Sequence, residues 1–140
     1  MTHKAAPLRA VVVDDSGATR RILTRMLEDT DIEVVAEADD VEPAIDACRR
    51  EAPDLLFLDV VMPGGSGVDV LRKVKDILPA VRVLMITSID ERDTVASCRD
   101  LGASGYILKP FSRDKVLAGV RRLCAEIQGD TPEKQNGEAK

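Results

Sequence analysis

The sequence predicts an α/β domain: a five-stranded parallel sheet, order 2-1-3-4-5, with helices on both faces. Three observations predict it. Five short runs rich in Val, Ile and Leu alternate with longer segments whose apolar residues recur three or four apart. Strand–helix alternation of this kind builds a parallel sheet covered on both sides. Four of the five runs also carry a polar residue at or just past their carboxyl end. That is where open α/β sheets place their ligands.

The strands are expected at Leu8–Val13, Ile32–Ala36, Leu55–Leu58, Val81–Ile86 and Tyr106–Leu108. Ile32–Ala36 is flanked by acids and reads as an edge, while the continuous apolar runs read as inner strands. Between them, Ile22, Leu23, Met26 and Leu27 form one helical stripe. Val41, Ile45 and Cys48 form a second, and Val68, Leu71, Val74 and Leu78 a third. Val116, Leu117, Val120, Leu123, Cys124 and Ile127 mark the last helix. Ser88-Ile-Asp-Glu91 has the form of a capping box, and Ser66 and Ser112 stand where they can cap the helices after them. Gly102 and Gly129 sit where helices should end, and Pro79 closes the third helical segment.

The chain has 140 residues, enough for one domain, expected over about residues 7–127. Residues 1–6 read as a short leader and 128–140 as a disordered polar tail, since QGDTPEKQNGEAK has no apolar periodicity. The composition is 44% hydrophobic and 32% charged, with two Phe, one Tyr and no Trp, so the core must be aliphatic. A net charge of −5 argues against nucleic acid as a partner. No apolar run approaches a membrane span and no secretory signal is visible, which points to a cytoplasmic protein. Cys48, Cys98 and Cys124 form no CxxC pair and read as small core residues. The single histidine, His3, lies in the leader, which leaves no His for a general base or a His/Cys metal cluster.

Asp59 poses the chemical question. It is the one charged residue in the run LLFLDVVM at 55–62, and burying a lone carboxylate is costly. The other strand ends answer it. VVVDD ends in Asp14 and Asp15, VLMIT in Thr87, and YILK in Lys109. In the order 2-1-3-4-5, Asp14, Asp15 and Asp59 converge beside Lys109 and Thr87. Three carboxylates together repel and call for a cation beyond the single lysine. A hard, oxygen-seeking Mg²⁺ suits such a site, and Mg²⁺ with a Lys, a hydroxyl and an Asp nucleophile suits a phosphoryl group. Each motif alone has an ordinary explanation, such as a turn, a helix cap or a solvated charge. Their joint placement at adjacent strand ends does not.

Through VVVDDS at 11–16, LDVVMPGGSG at 58–67, MITS at 85–88 and GYILKPF at 105–111, the chain resembles a response-regulator receiver domain of the small, CheY-like chemotaxis type, which has a flavodoxin-like fold. The resemblance covers nearly all of residues 7–127. It implies that Asp59 accepts a phosphoryl group from a phosphohistidine on a histidine kinase or phosphotransfer protein. It implies that Asp15, Asp59 and the backbone carbonyl of Val61 bind Mg²⁺ directly, with Asp14 acting through water. Lys109 would pair with the phosphoryl oxygens. Thr87 would shift toward them, and Tyr106 would change rotamer, altering a surface of helix four, strand five and helix five read by a downstream protein. Such a domain is not a conventional enzyme: it catalyses its own Mg²⁺-dependent phosphorylation and slow dephosphorylation. The resemblance also implies a cis Lys109–Pro110 bond, although base rates for X–Pro favour trans. Val61 and Ile89 occupy positions that help set the lifetime of the aspartyl phosphate. Neither side chain can hydrogen-bond, so a long-lived phosphorylated form is expected.

Other classes fit less well. An Asp-nucleophile phosphatase would carry a second Asp where Val61 stands, and there is no room for a cap domain. A vestigial interaction module would not need the complete set of site residues. A receiver module of a larger transcription regulator is a further alternative; the initial Met and polar tail favour a free-standing protein. Motor control, a phosphorelay step and a phosphate sink all remain compatible with the sequence.

Overall fold

The computed structural model describes residues 6–127. His3, Gly129, most of the leader and the polar tail lie outside the described residues. Five parallel strands form the central sheet: β1 (Leu8–Val13), β2 (Ile32–Ala38), β3 (Leu55–Leu58), β4 (Arg82–Thr87) and β5 (Gly105–Leu108). Their order is β2-β1-β3-β4-β5, as the sequence predicts. The helices are α1 (Gly17–Leu27), α2 (Val41–Glu51), α3 (Gly67–Ile77), α4 (Arg92–Asp100) and α5 (Arg113–Ile127).

Strand alternation sorts the core into two layers. Ala10, Val12, Leu55, Phe57, Leu84 and Ile86 face α1 and α5, where Leu23, Leu27, Val116, Val120 and Leu123 are buried. Val11, Val13, Leu56, Leu58, Val83 and Met85 face the other way, packing with Ala44, Ile45, Cys48, Val70, Leu71, Val74 and Cys98. Every residue of β3 is buried, as a central strand covered on both faces requires. β2 lies at the edge, and its solvated positions carry Glu33 and Glu37.

The structure corrects several local expectations. β2 runs two residues further than expected, to Ala38, and β4 starts at Arg82 rather than Val81. Ser88 does not cap α4: the helix begins three residues later, with Glu91 as N-cap and no side-chain cap bond. Ile22 is 49% exposed, because a stripe one helix face wide has room for Leu23 and Leu27 but turns Ile22 outward. Ser66 does cap α3, accepting from the Val68 amide, and Ser112 accepts from the Lys115 amide at the start of α5. Residues 61–66 form a small antiparallel hairpin in which Val61 pairs with Ser66 and Met62 with Gly65. Cys48 and Cys98 are buried and Cys124 is half-buried; burial pushes the Cys48 thiol up to about 12, keeping it protonated and unreactive.

Candidate functional site at the carboxyl edge of the sheet

Four strand ends meet at one edge of the sheet. The Asp59 amide donates to the Val13 carbonyl at 3.1 Å, which sets Asp59 beside Asp14 on the adjoining strand. The Lys109 amide donates to the Thr87 carbonyl at 2.9 Å, joining the ends of β4 and β5 in the same way. Backbone pairing alone therefore gathers the four polar positions.

Lys109 spans the gap between the strands. Its Nζ lies 2.8 Å from Asp14 Oδ2 and 2.9 Å from Asp59 Oδ2. Asp14 and Asp59 are 1% and 5% exposed, so each needs this compensation. Burial alone would lower the Lys109 pKa, but its hydrogen bonds and charge pairing with both carboxylates outweigh that and raise it. The ammonium stays charged. Asp59 Oδ1 accepts the amides of Val60 at 2.6 Å and Val61 at 3.4 Å. Asp14 Oδ1 accepts the Ser16 amide at 2.9 Å. The buried carboxylate in the LLFLDVVM run is thus held by two amides and one ammonium.

Asp15 is exposed at the rim. Carboxylate oxygens of Asp14, Asp15 and Asp59 lie within 4.8 Å of one another. Three carboxylates against one ammonium leave an excess of two negative charges. An all-oxygen donor set with that excess fits a hard divalent ion, and Mg²⁺ in particular. Val61 follows at the lip, 51% exposed, with its carbonyl in the hairpin that leaves β3.

Thr87 is fully buried at the end of β4, and its Oγ1 accepts the Ile89 amide at 3.3 Å. The Ile89 carbonyl accepts the Tyr106 hydroxyl at 2.6 Å. Ile89 therefore links Thr87 to Tyr106, which is half-buried on β5. Burial first, then the charges around it, push the Tyr106 hydroxyl up to about 12. The Lys109–Pro110 peptide is cis, as the resemblance rather than the base rate implies.

Three contributors were not picked out from the sequence. Gly67 lets α3 start against the Asp59 peptide: a Cβ there would sit 1.9 Å from the Asp59 carbonyl oxygen. Its signal was the last glycine of GGSG, just before an apolar helical stripe. Arg20 donates to the Asp14 carbonyl at 2.6 Å and pairs with Glu37 at 2.8 Å. Asp40 caps α2 and reaches the hairpin; an acid directly before a helical stripe was its signal.

Fold and site together define a receiver domain, and the comparisons agree. Residues 10–121 match the family model for the response regulator receiver domain, and the chain belongs to that family. It is 35% identical to Protein CcdB of Bacillus subtilis over 115 residues, which is 82% of this chain and 96% of that one. It is 31% identical to Chemotaxis protein CheY of the same organism, over 81% of this chain and 95% of the relative. Among solved structures it resembles the CheX–CheY–BeF3–Mg complex from Borrelia burgdorferi, with a TM-score of 0.78 and 30% identity over 81% of this chain and 87% of that one. It also resembles the receiver domain of the response regulator NarL from Mycobacterium tuberculosis, with a TM-score of 0.79 and 35% identity over 87% and 98% of the two chains. Among the described residues, no helix is long and apolar enough to cross a membrane.

Proposed function

We propose that the protein is a phosphoryl-accepting switch in two-component signalling, with Asp59 as acceptor. The observation that carries this reading is a buried Asp59 bonded to Lys109 and grouped with Asp14 and Asp15. A carboxylate oxygen of Asp59 attacks the phosphorus of a phosphohistidine on a histidine kinase or phosphotransfer protein. The new P–O bond forms as the P–N bond breaks, and the imidazole leaves. Lys109, now bonded to Asp59, would neutralise phosphoryl oxygens, and the amides of Val60 and Val61 would orient the nucleophile. Asp15, Asp59 and the Val61 carbonyl would hold Mg²⁺ directly, with Asp14 acting through water. When bound, that ion supplies charge neutralisation at the transferring group. The Borrelia CheY was solved with BeF3 and Mg, which supports the same chemistry here.

The output follows from the Ile89 link. A phosphoryl group on Asp59 would offer the Thr87 hydroxyl a charged acceptor, and Oγ1 moving toward it would leave the Ile89 amide that it now accepts. Releasing that amide disturbs the residue whose carbonyl holds Tyr106. The face of α4, β5 and α5 then changes for a downstream protein. A CheY from Borrelia burgdorferi was solved in complex with a protein, CheX, which supports a protein partner here. The intracellular setting of kinase signalling makes the cytoplasm its place.

Intact mass after incubation with acetyl phosphate and Mg²⁺ tests the reading. Wild type should gain one phosphoryl group, Asp59→Asn none, and a chelator should abolish the gain. No gain, together with no binding of beryllofluoride, would sink it. Phosphoryl lifetime is a finer test. Val61 is exposed at the lip and cannot hold a water by its side chain, so Val61→Asn should shorten the lifetime severalfold. A lifetime equal to or longer than wild type would contradict that.

A further inference from the structure

We propose that Asp40 is a positioning residue: it latches the tip of the 61–66 hairpin and thereby sets the Val61 backbone carbonyl at the Mg²⁺ site. This rests on the receiver reading and adds a residue from a different strand–helix connection to its machinery.

The hairpin is short. Its arms are Val61–Met62 and Gly65–Ser66, and two-stranded hairpins do not hold their shape alone in water. Its base is closed by the Gly67 amide, which donates to the Val60 carbonyl at 2.7 Å. Its tip is tied elsewhere. The Gly64 amide donates to Asp40 Oδ1 at 2.7 Å, across 24 residues of sequence. The same oxygen accepts the Val41 amide at 2.8 Å and caps α2. One carboxylate oxygen thus joins the first turn of α2 to the hairpin tip.

The glycines show that the approach is built in. A Cβ on Gly64 would lie 2.7 Å from Asp40 Oδ1 and 2.9 Å from Oδ2, so a side chain at 64 would push the Asp40 carboxylate away from the tip. At Gly65, with φ +152°, a Cβ would come within 3.2 Å of Val41 Cγ2, a second contact between the tip and the start of α2. Met62 points inward and is 6% exposed in the core layer that also holds Val41. Base, buried Met62 and tip therefore fix the hairpin at three places. Between base and tip lies Val61, which is 51% exposed. Asp40 is not among the carboxylates grouped around Lys109, so it acts on the site through the hairpin.

The test separates the cap from the latch. Asp40→Asn keeps an acceptor oxygen at full reach. Asp40→Ser keeps the helix cap, but its hydroxyl is one bond too short for Gly64. Gly64→Ala breaks the latch from the other side. For each variant and wild type, amide hydrogen exchange over residues 61–66 is measured without Mg²⁺, and the Mg²⁺ dissociation constant by backbone-amide titration. Asp40→Asn, which keeps the acceptor but loses its charge, should fall between wild type and the latch variants. Asp40→Ser and Gly64→Ala should exchange faster across the hairpin and bind Mg²⁺ about three- to tenfold more weakly, the range expected for one lost charge-assisted hydrogen bond acting indirectly. Faster exchange with an unchanged Mg²⁺ constant would overturn the positioning role. Unchanged exchange in both latch variants would overturn the latch. A wild type that shows no Mg²⁺-dependent shifts at Asp15, Asp59 or Val61 would fail the receiver reading itself, a result distinct from either.

Discussion

The two halves of the site's edge are held very differently. On one side, Asp59 is bonded to Lys109 and to two amides, its carbonyl lies against Gly67, and α3 buries Gly67, Val70, Leu71 and Val74 beneath it. On the other, Thr87 reaches Tyr106 only through Ile89, α4 buries Cys98 alone, and no residue of β5 is fully buried. Segments with few buried contacts open at low free-energy cost, and dense ones open only with the whole fold. In the proposed function the charge would land on the densely held half and be read out on the loose half. A switch needs that division: a fixed acceptor, and an element with two arrangements close in energy.

The largest break in this contrast comes from Gly67→Ala. The added carbon would sit 1.9 Å from the Asp59 carbonyl oxygen, and the atom it meets is backbone, which cannot swing aside. A loss of about 3 kcal/mol or more is expected in urea unfolding, with slower phosphorylation because the Asp59 loop must shift. A variant within about 1 kcal/mol of wild type, on the same scale of core strain, would show the anchored half to be softer than described.

Tyr106→Phe probes the loose half. Removing the hydroxyl deletes the bond to the Ile89 carbonyl and should cost about 1 kcal/mol. Amide exchange over residues 88–100 should quicken while phosphoryl uptake at Asp59 persists. The hydroxyl also has a pH signature, set first by its burial and then by the charges around it. The hydroxyl is raised to about 12, against an ordinary value of about 10. Folding therefore favours the protonated form, and the stabilisation is fully present below about pH 10 and lost as pH rises through the folded value. Lys109 is also raised, so its contribution fades in the same alkaline direction. Phenolate absorbance reads Tyr106 alone, since the chain has one Tyr and no Trp. A midpoint near 10 in the folded protein, close to the model-compound value, would contradict a buried, bonded hydroxyl.

How much of this could be read from sequence follows the same divide. β3 is a continuous apolar run, β1 and β4 are apolar but for Arg9, Arg82 and the closing Thr87, and all three have polar residues at or just past their carboxyl ends, so composition and punctuation marked them. The grouping of Asp14, Asp15, Asp59 and Lys109 followed once the strand order was set, because parallel pairing aligns carboxyl ends. What escaped depends on contacts between distant segments. Asp40 reaches Gly64, Arg20 reaches Glu37, and the need for Gly67 comes from a peptide eight residues earlier. Ser88 misled because a capping box is a local pattern. Here Thr87 Oγ1 takes the Ile89 amide and Tyr106 takes the Ile89 carbonyl, which keeps residues 88–91 out of the helix.

That last point carries the smallest prediction. Glu91 is the N-cap of α4 with extended backbone, φ −65° and ψ 133°, yet its side chain accepts from no helix amide. Its carboxylate meets only the Thr94 hydroxyl, at 3.4 Å. Glu91→Ser would supply a short acceptor for the unpaired amides of the first turn. It would also give up the favourable interaction of a carboxylate with the helix N-terminus, worth about 0.3–1 kcal/mol, so the net gain should be only about 0.5 kcal/mol. The gain should appear as slower amide exchange within α4, with phosphoryl uptake at Asp59 unchanged. No slowing would mean that α4 is loose because it buries so little apolar surface, not because its end is uncapped. Slower exchange with weaker coupling between phosphorylation and Tyr106 would mean that the missing cap is part of the switch, keeping the two arrangements of α4 close enough in energy for one phosphoryl group to choose between them.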